Sequence, residues 1–181
     1  QIGGKLRWHY LGNDISDIFD FETPRWYSKE TFFRLLLPKI LPEVNEILYL
    51  DVDLLVRTDV SVLFHNYSAS LIRACLDMYM PKASQQIPNF KQHGLHADDW
   101  VANCGVCMLN MREIRKTALM EESIQLLIEH TEDMSCLDQT AINIAFKGKI
   151  DFLPTEWNVF PRAIEKKWIS PVESIQPFAS D

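Results

Sequence analysis

Residues 45–64 read NEILYLDVDLLVRTDVSVLF, an apolar run that contains Asp51 and Asp53. Its first half, EILYLDV, has the continuous apolar character of a strand buried on both faces. Because side chains alternate along a strand, two aspartates separated by one residue point to the same side, with Val52 facing the core. The pattern therefore predicts an acidic pair where this strand ends.

Such an acidic pair needs a partner. Two neighbouring carboxylates repel each other and lose hydration on burial, so an apolar strand tolerates them only beside a cation or hydrogen-bond donors. Oxygen ligands favour a hard divalent ion, Mg²⁺ or Mn²⁺, which keeps open positions for water or substrate phosphate. The pattern favours a metal–diphosphate site at Asp51 and Asp53. The alternative is a solvated turn in which backbone N–H groups satisfy both carboxylates.

The composition excludes several classes of protein. The chain has 181 residues, of which 47% are hydrophobic, and this suits one globular domain with a sizeable core. The formal net charge is −7, and no run of Lys or Arg is interleaved with aromatics, which argues against a nucleic-acid or anionic-membrane partner. The apolar runs are too short, or too broken by charge, to be a transmembrane segment.

The four cysteines are too few and too scattered for a small disulfide scaffold. The pair Cys104 and Cys107 lies in the strand-like run NCGVCMLN, where residues three apart face opposite sides of a sheet and cannot chelate together. No second Cys/His pair has a matching spacing. Packing cysteines, kept reduced in a cytosol, are favoured over a zinc or redox motif.

Strands and helices alternate along the chain. The predicted helices are SKETFFRLLLPKIL, opened by a cap at Ser28 and closed near Pro38 to Pro42, then Met111 to about Thr131, and Asp138 to Phe146. The predicted strands are KLRWHYL, EILYLDV, ASLIRACLD, ANCGVCMLN and GKIDFLP. This order implies an α/β domain with a mainly parallel sheet flanked by helices. Active sites in such sheets lie beyond the carboxyl ends of the strands.

Three blocks of sequence carry a family resemblance. They are YSKETFFRLLLPKILPEVNEILYLDVDLLVRTDVSVLF (27–64), NCGVCMLNMREIRK (103–116) and CLDQTAINIAFKGKIDFLPTEWNV (136–159). In this order they resemble the retaining glycosyltransferases of family 8, which include bacterial lipopolysaccharide galactosyl- and glucosyltransferases and glycogenin. The resemblance covers roughly residues 2–180. It implies a GT-A, Rossmann-like fold, a nucleotide-sugar donor, usually a UDP-hexose, and a requirement for Mn²⁺ or Mg²⁺.

The resemblance also implies roles for residues on the donor side. Asp51 and Asp53 match the D-x-D motif that holds the cation, and Val52 lies between them in the donor-binding stretch. Arg34 matches an arginine that meets the donor sugar or phosphate, and its guanidinium suits paired oxygens. Asn103 matches an asparagine that hydrogen-bonds the donor sugar. Taken alone, Arg34 also reads as a helix-surface arginine and Asn103 as a satisfied loop asparagine.

The block LDQT is implied to lie at the reacting centre. Asp138 matches an aspartate that binds sugar hydroxyls, although its position also suits a helix N-cap. Gln139 matches a residue beneath the anomeric carbon, a candidate nucleophile or a dipole that stabilises an oxocarbenium-like state. Thr140 replaces an acid often found after this glutamine. We favour attack on the front face, in which the departing phosphate oxygen takes the proton of the acceptor.

The sequence departs from the family pattern at both ends. The segment before Lys5 is too short for the strand and helix that bind the nucleotide base, and Pro177 aligns with the histidine that is the third metal ligand. We therefore expect residues 1–181 to form a single GT-A domain that is incomplete at both ends. By itself it should be a poor transferase, with an exposed sheet edge that favours homo-oligomers.

The expected activity is metal-dependent transfer of a hexose, from UDP-glucose or UDP-galactose to a glycan acceptor such as lipopolysaccharide core. The expected location is the bacterial cytoplasm, with peripheral contact to the inner membrane. Two alternatives remain. One is a non-catalytic sugar-nucleotide-binding module. The other is a D-x-D phosphohydrolase, against which Leu54 and Leu55 argue, because small residues usually follow the second aspartate there.

Overall fold

A computed structural model describes residues 4–9, 29–65 and 69–160. Within these ranges, four strands form one sheet with helices packed against it, which confirms the predicted α/β class. The strands are β1 (Ile47–Leu50), β2 (Ile72–Leu76), β3 (Ala102–Leu109) and β4 (Ile150–Leu153). The helices are α1 (Phe33–Ile40), α2 (Ala83–Gln86), α3 (Met111–Ile114), α4 (Leu119–Glu129) and α5 (Asp138–Ala145).

The sheet is mixed, so the prediction of mainly parallel pairing was wrong for the described strands. Their order is β1-β3-β2-β4, and β3 pairs antiparallel with both β1 and β2, whereas β2 and β4 pair in parallel. A continuous apolar run indicates that both faces of a strand are buried, but it does not indicate whether the strand runs parallel or antiparallel to its neighbours. Three strands nevertheless run the same way, so the carboxyl ends of β1, β2 and β4 meet the amino end of β3 at one sheet edge.

Strand β3 contains an irregularity that matters for the site. Ala74 of β2 pairs with Cys107, but the next residue, Cys75, pairs with Asn103, so residues 104–106 of β3 have no partner on β2. Such bulges release backbone N–H groups from the ladder, and these groups must find other partners. In this sheet the N–H groups of Cys104 and Gly105 bond to side-chain oxygens instead.

The helices differ from the prediction at α2, which was not predicted, and between Met111 and Thr131. The predicted helix from Met111 to Thr131 is two helices, α3 and α4, because the Thr117 hydroxyl donates to the Ile114 carbonyl at 2.8 Å and also accepts from the Leu119 N–H at 3.4 Å. A side chain that takes part in local backbone bonding in this way competes with the helical pattern. Helix α1 continues through Pro38 and ends at Ile40, within the predicted limits.

The remaining predictions concern the chain start and the thiols. Residues 4–9 form no strand, so KLRWHYL is not a strand in its described part, and the rest of it lies outside the described residues, as do Ser28 and Pro177. Cys104 and Cys107 are buried free thiols. Within the ranges given above, every helix is too short or too polar to cross a membrane.

The core joins the sheet to the helices on its faces. Buried apolar side chains come from α1, β2, β3, α4 and α5, and one from each of these elements is Leu35, Ala74, Ala102, Leu127 and Ala141. This packing fixes α1 and α5 relative to the sheet edge described above. Both helices can therefore hold polar side chains at that edge with little freedom to move.

Candidate functional site

A cavity of about 270 Å³ opens at the edge where β1, β2 and β4 end and β3 begins. Five residues selected from the sequence line it together: Arg34, Asp51, Asn103, Asp138 and Gln139. The other lining residues are Thr31, Asp77, Tyr79, Met80, Cys136 and Phe160. The prediction that the site lies where the strands end is consistent with this cavity.

Arg34 is buried at the centre of the cavity wall. Its Nη1 donates to the Cys104 carbonyl at 2.6 Å, and its Nη2 donates to Asp51 Oδ1 at 3.0 Å. Its Nε lies 2.6 Å from Asp138 Oδ2, an ion-pair contact in which the N–H is not aligned for a hydrogen bond. The guanidinium also lies 4.4 Å from the centre of the Tyr49 ring. Arg34 is thus not the helix-surface arginine of the alternative interpretation.

Asp138 is the first residue of α5, and the structure does not support the N-cap interpretation of its side chain. The cap position is Leu137, with no side-chain cap bond, and the Asp138 carboxylate turns toward Arg34 and accepts from the Thr31 hydroxyl at 3.4 Å. Burial raises the pKa of Asp138 from 3.8 to about 6, although Arg34 opposes the shift. Conversely, burial alone would lower the pKa of Arg34, but Asp138 and its other neighbours raise it, so the guanidinium stays charged.

This pKa predicts how stability depends on pH in the ligand-free protein. Because the folded-state pKa of Asp138 lies above its unfolded value, the folded state binds more protons between pH 3.8 and 6. Relative to the variant Asp138→Asn, the wild type should therefore gain about 3 kcal/mol of unfolding free energy as the pH falls from 7 to 3.5. Urea titrations of both proteins across this range measure the difference. If the unfolding free energies of both proteins changed equally with pH, the raised pKa of Asp138 would be contradicted.

Asp77 follows β2 and was not selected from the sequence. It is 4% exposed and accepts five hydrogen bonds: Oδ1 from the N–H groups of Tyr79 and Met80, and Oδ2 from three side-chain amides. These amides belong to Gln86, Asn103 and Gln139, at 3.3, 3.3 and 3.1 Å. The signal was available, because Asp77 ends an apolar strand in the run ACLD, as Asp51 ends its own.

Gln139 is held by partners on both ends of its amide. Its Oε1 accepts from the Cys104 N–H at 3.0 Å, in the irregular part of β3. Its Nε2 donates to Asp77 Oδ2 at 3.1 Å and to Gln86 Oε1 at 3.4 Å, which uses both hydrogens. One lone pair of Oε1 remains. The Gln139 side chain therefore offers an acceptor at the cavity wall and no further N–H.

Asn103 is fixed in the same network. Its Oδ1 accepts from the Gly105 N–H at 2.9 Å and from Asn158 Nδ2 at 2.7 Å, and its Nδ2 donates to Asp77. It is therefore not a loop asparagine, since it lies within β3. Gly105 leaves room for both oxygens, because a Cβ there would lie 2.9 Å from Asp51 Oδ2 and 3.1 Å from Asn103 Oδ1, and these side chains would have to shift.

The acidic pair has a different geometry from the predicted one. Strand β1 ends at Leu50, and Val52 and Asp53 form a turn, so strand alternation does not reach Asp53. The prediction that Val52 faces the core was wrong, because Val52 is fully exposed. The Asp51 side chain is 35% exposed and paired with Arg34, while Asp53 is exposed and outside the cavity lining. Among the described residues, no three His, Cys, Asp or Glu side chains are grouped to hold a metal.

Two aromatic rings stand at the cavity. Tyr79 and Phe160 have ring centres 4.9 Å apart, at an interplanar angle of 37°, and both line the cavity. Neither was selected from the sequence, because isolated aromatics near loops do not differ in pattern from core residues. Together with Met80, the rings give a largely polar cavity an apolar wall.

Comparisons with known proteins point in one direction. Residues 5–178 match the model of the family described as Glycosyl transferase family 8. A curated relative from Haemophilus influenzae is 25% identical over 148 residues, which cover 81% of this chain and 44% of the relative. The lipopolysaccharide 1,2-glucosyltransferase of Escherichia coli K12 is 26% identical over 133 residues, 73% of this chain and 39% of that enzyme. The chain thus spans about two fifths of the length of these relatives.

Solved structures share the architecture. The galactosyltransferase LgtC, solved with donor and acceptor sugar analogues, superposes with a TM-score of 0.72 at 22% identity, covering 91% of this chain and 61% of LgtC. Mouse xyloside xylosyltransferase 1 superposes with a TM-score of 0.59 at 18% identity, and the match covers 91% of this chain and 66% of the mouse enzyme. At these identities the likeness concerns the fold, and it confirms the predicted GT-A class.

Proposed function

Since the chain belongs to glycosyltransferase family 8, we propose that it serves the retaining transfer of a hexose from UDP-glucose or UDP-galactose to a glycan acceptor such as lipopolysaccharide core. One observation carries the proposal: α1, β1, β3 and α5 bring Arg34, Asp51, Asn103, Asp138 and Gln139 to one cavity. They come from four separate segments of the chain, and all five were expected at the site from the sequence. The lipopolysaccharide enzyme among the relatives supports the acceptor class.

The charge of the cavity supports a divalent cation. Its lining has three carboxyl groups, those of Asp51, Asp77 and Asp138, against the one guanidinium of Arg34, which gives −2 when all are ionised. An anionic diphosphate would be repelled by this lining unless a cation accompanied it. Asp51 is partly exposed at the cavity, and Asp53 lies two residues further in an exposed turn. Carboxylate oxygens suit Mn²⁺ or Mg²⁺, so the donor set fits such an ion.

Asp51 and Asp53 would hold the cation, and a bound cation would supply Lewis-acid stabilisation of charge on the leaving diphosphate. Other residues of the chain would bind and orient the donor. Arg34 retains unused Nη hydrogens that can meet donor oxygens, and its pairing with Asp51 limits where that carboxylate can point. Asn103 can donate one N–H to the donor sugar. Asp138 accepts from sugar hydroxyls, as the family resemblance implies.

Gln139 suits the reacting centre because the group it leaves free is a carbonyl oxygen. Both its N–H hydrogens are used by Asp77 and Gln86, so only the Oε1 lone pair is left for a ligand. A carbonyl dipole stabilises positive charge developing at the anomeric carbon without forming a bond to it. In the step we propose, the bond from the anomeric carbon to phosphate oxygen breaks and the bond to the acceptor oxygen forms on the same face. The acceptor proton passes to the departing phosphate oxygen.

The proposal is tested by calorimetric titration of UDP with and without Mn²⁺. We expect binding by the wild type to require Mn²⁺ and to weaken by about 10- to 100-fold in Asp53→Asn, because a carboxylate ligand becomes a neutral amide. Asp98→Asn is the matched control, since Asp98 is an exposed aspartate outside the cavity lining and undergoes the same change of charge. Equal affinities for wild type and Asp53→Asn would contradict the metal assignment.

Assays of turnover separate the remaining alternatives. Metal-dependent UDP binding with no hydrolysis or transfer of a sugar, in a chain extended at both ends, would identify a binding module. Hydrolysis of a phosphate ester without a sugar nucleotide would identify a phosphohydrolase. Hexose transfer with retention at the anomeric carbon is the outcome that the proposal requires.

A further inference from the structure

Asn158 lies immediately after the 3-10 turn Thr155–Trp157 and is 5% exposed. Its Nδ2 donates to Asn103 Oδ1 at 2.7 Å, and Asn158 is absent from the cavity lining. We propose that Asn158 is a positioning residue that acts through Asn103. By occupying a lone pair of Asn103 Oδ1, it leaves the Asn103 amide only an N–H to offer a ligand. The inference deepens the proposed function and rests on it.

The donors and acceptors around Asn103 determine what its amide can still offer a ligand. The Asn103 amide has two lone pairs on Oδ1 and two hydrogens on Nδ2. The Gly105 N–H and the Asp77 carboxylate fix which end of the amide is which, because a backbone N–H can only donate and a carboxylate can only accept. Asn158 then occupies the second lone pair of Oδ1. One Nδ2 hydrogen is all that remains.

That single hydrogen determines what Asn103 can recognise. The matching ligand atom must be an acceptor, such as a hydroxyl or phosphate oxygen of a sugar nucleotide. Without the Asn158 side chain, Asn103 Oδ1 has a free lone pair again. The Asn103 amide also loses the hydrogen bond that comes from the turn after β4. Asn103 could then rotate, or bind a water, at the place where the donor should be held.

The first test is a double-mutant cycle on UDP-glucose and UDP-galactose binding with Mn²⁺ present, using wild type, Asn158→Ala, Asn103→Ala and the double variant. We expect Asn158→Ala to weaken binding about 5- to 10-fold in the wild-type background and less than about 2-fold in the Asn103→Ala background. The control Asn45→Ala, an exposed position before the amino end of β1, should leave binding unchanged. Equal losses in both backgrounds would show general structural damage and overturn the proposal.

A second measurement needs no ligand. In ¹⁵N-labelled protein, the side-chain amide signals of Asn103, identified by their loss in Asn103→Ala, should shift in Asn158→Ala and stay in place in Asn45→Ala. Unchanged Asn103 signals would overturn the positioning role even if the protein binds sugar nucleotides. If neither UDP-hexose binds the wild type, the proposed function fails, and the amide signals still decide whether Asn158 positions Asn103.

Discussion

Replacing Arg34 by alanine is expected to abolish sugar-nucleotide binding and to lower the free energy of unfolding by about 3–5 kcal/mol. The guanidinium neutralises Asp51 and Asp138 and also bonds to the Cys104 carbonyl. Its removal leaves Asp138 without its cation, so the buried carboxyl group must either stay charged without a partner or take up a proton, and both cost free energy of folding. Lysine cannot replace the three contacts, because its ammonium is a single point of charge.

The matched control is Arg112→Ala. Arg112 is also a helical arginine, but its side chain is 69% exposed, and its nearest carboxylate, that of Glu113, lies 3.7 Å away. Exposed pairs of this kind contribute about 0–1 kcal/mol, so the control should unfold almost as the wild type does. Urea unfolding and UDP titration of both variants give the comparison. Similar losses for Arg34→Ala and Arg112→Ala would refute the central role of Arg34.

A double variant separates stability from function. In Arg34→Met with Asp138→Asn, no buried charge is left unpaired at α1 and α5, so much of the lost stability should return. Binding should not return, because the guanidinium and the carboxylate would both be missing from the cavity. Recovery of binding along with stability would mean that Arg34 supports the fold only.

Replacing Gln139 by alanine is expected to lower kcat by about 10²- to 10³-fold, the range found when one preorganised dipole at a developing charge is removed. The KM for the donor should change much less, because the carbonyl acts mainly in the transition state. Initial rates of hexose transfer, in a chain extended at both ends, provide both constants. A rise in KM at constant kcat would place Gln139 in ground-state binding.

The control for this experiment is Gln125→Ala, an exposed glutamine of α4 whose amide bonds to Glu129. It removes the same side chain far from the reacting atoms and should leave kcat within about 2-fold of wild type. Asp77→Asn gives a second comparison, since Asp77 orients the Gln139 amide. With a neutral amide in place of that carboxylate, Gln139 is less firmly oriented, so kcat should fall there too.

The sequence was a good guide wherever one physical signal acts locally. Apolar runs located β1 to β4, and helical spacing located α1 and α5, since burial of a strand or helix face requires these periods. It failed at the break between α3 and α4, where one hydroxyl, that of Thr117, takes part in backbone bonding within the helix pattern. It also failed on strand direction, because buried parallel and antiparallel strands can have the same composition.

The residues of the site also fall into those that the sequence indicated and those that it did not. The strand-end pattern selected Asp51 and Asp53, and the family resemblance selected Arg34, Asn103, Asp138 and Gln139. All of these except Asp53 line the cavity. Their partners were not selected. Asp77 ends an apolar strand, which was a local signal, but its hydrogen bond to Gln139 joins positions 62 residues apart and leaves no local pattern. Val52 was misplaced since the alternation of a strand was extended beyond Leu50, where the chain turns.

The sequence by itself therefore determined the α/β class, the family resemblance and the chemical types gathered at one edge of the sheet. Only the tertiary structure decided how these groups are satisfied. The irregular pairing of β3 releases the N–H groups of Cys104 and Gly105, and these bind the oxygens of Gln139 and Asn103. Amide orientation depends on every donor and acceptor within reach, and that set exists only after distant segments have packed together.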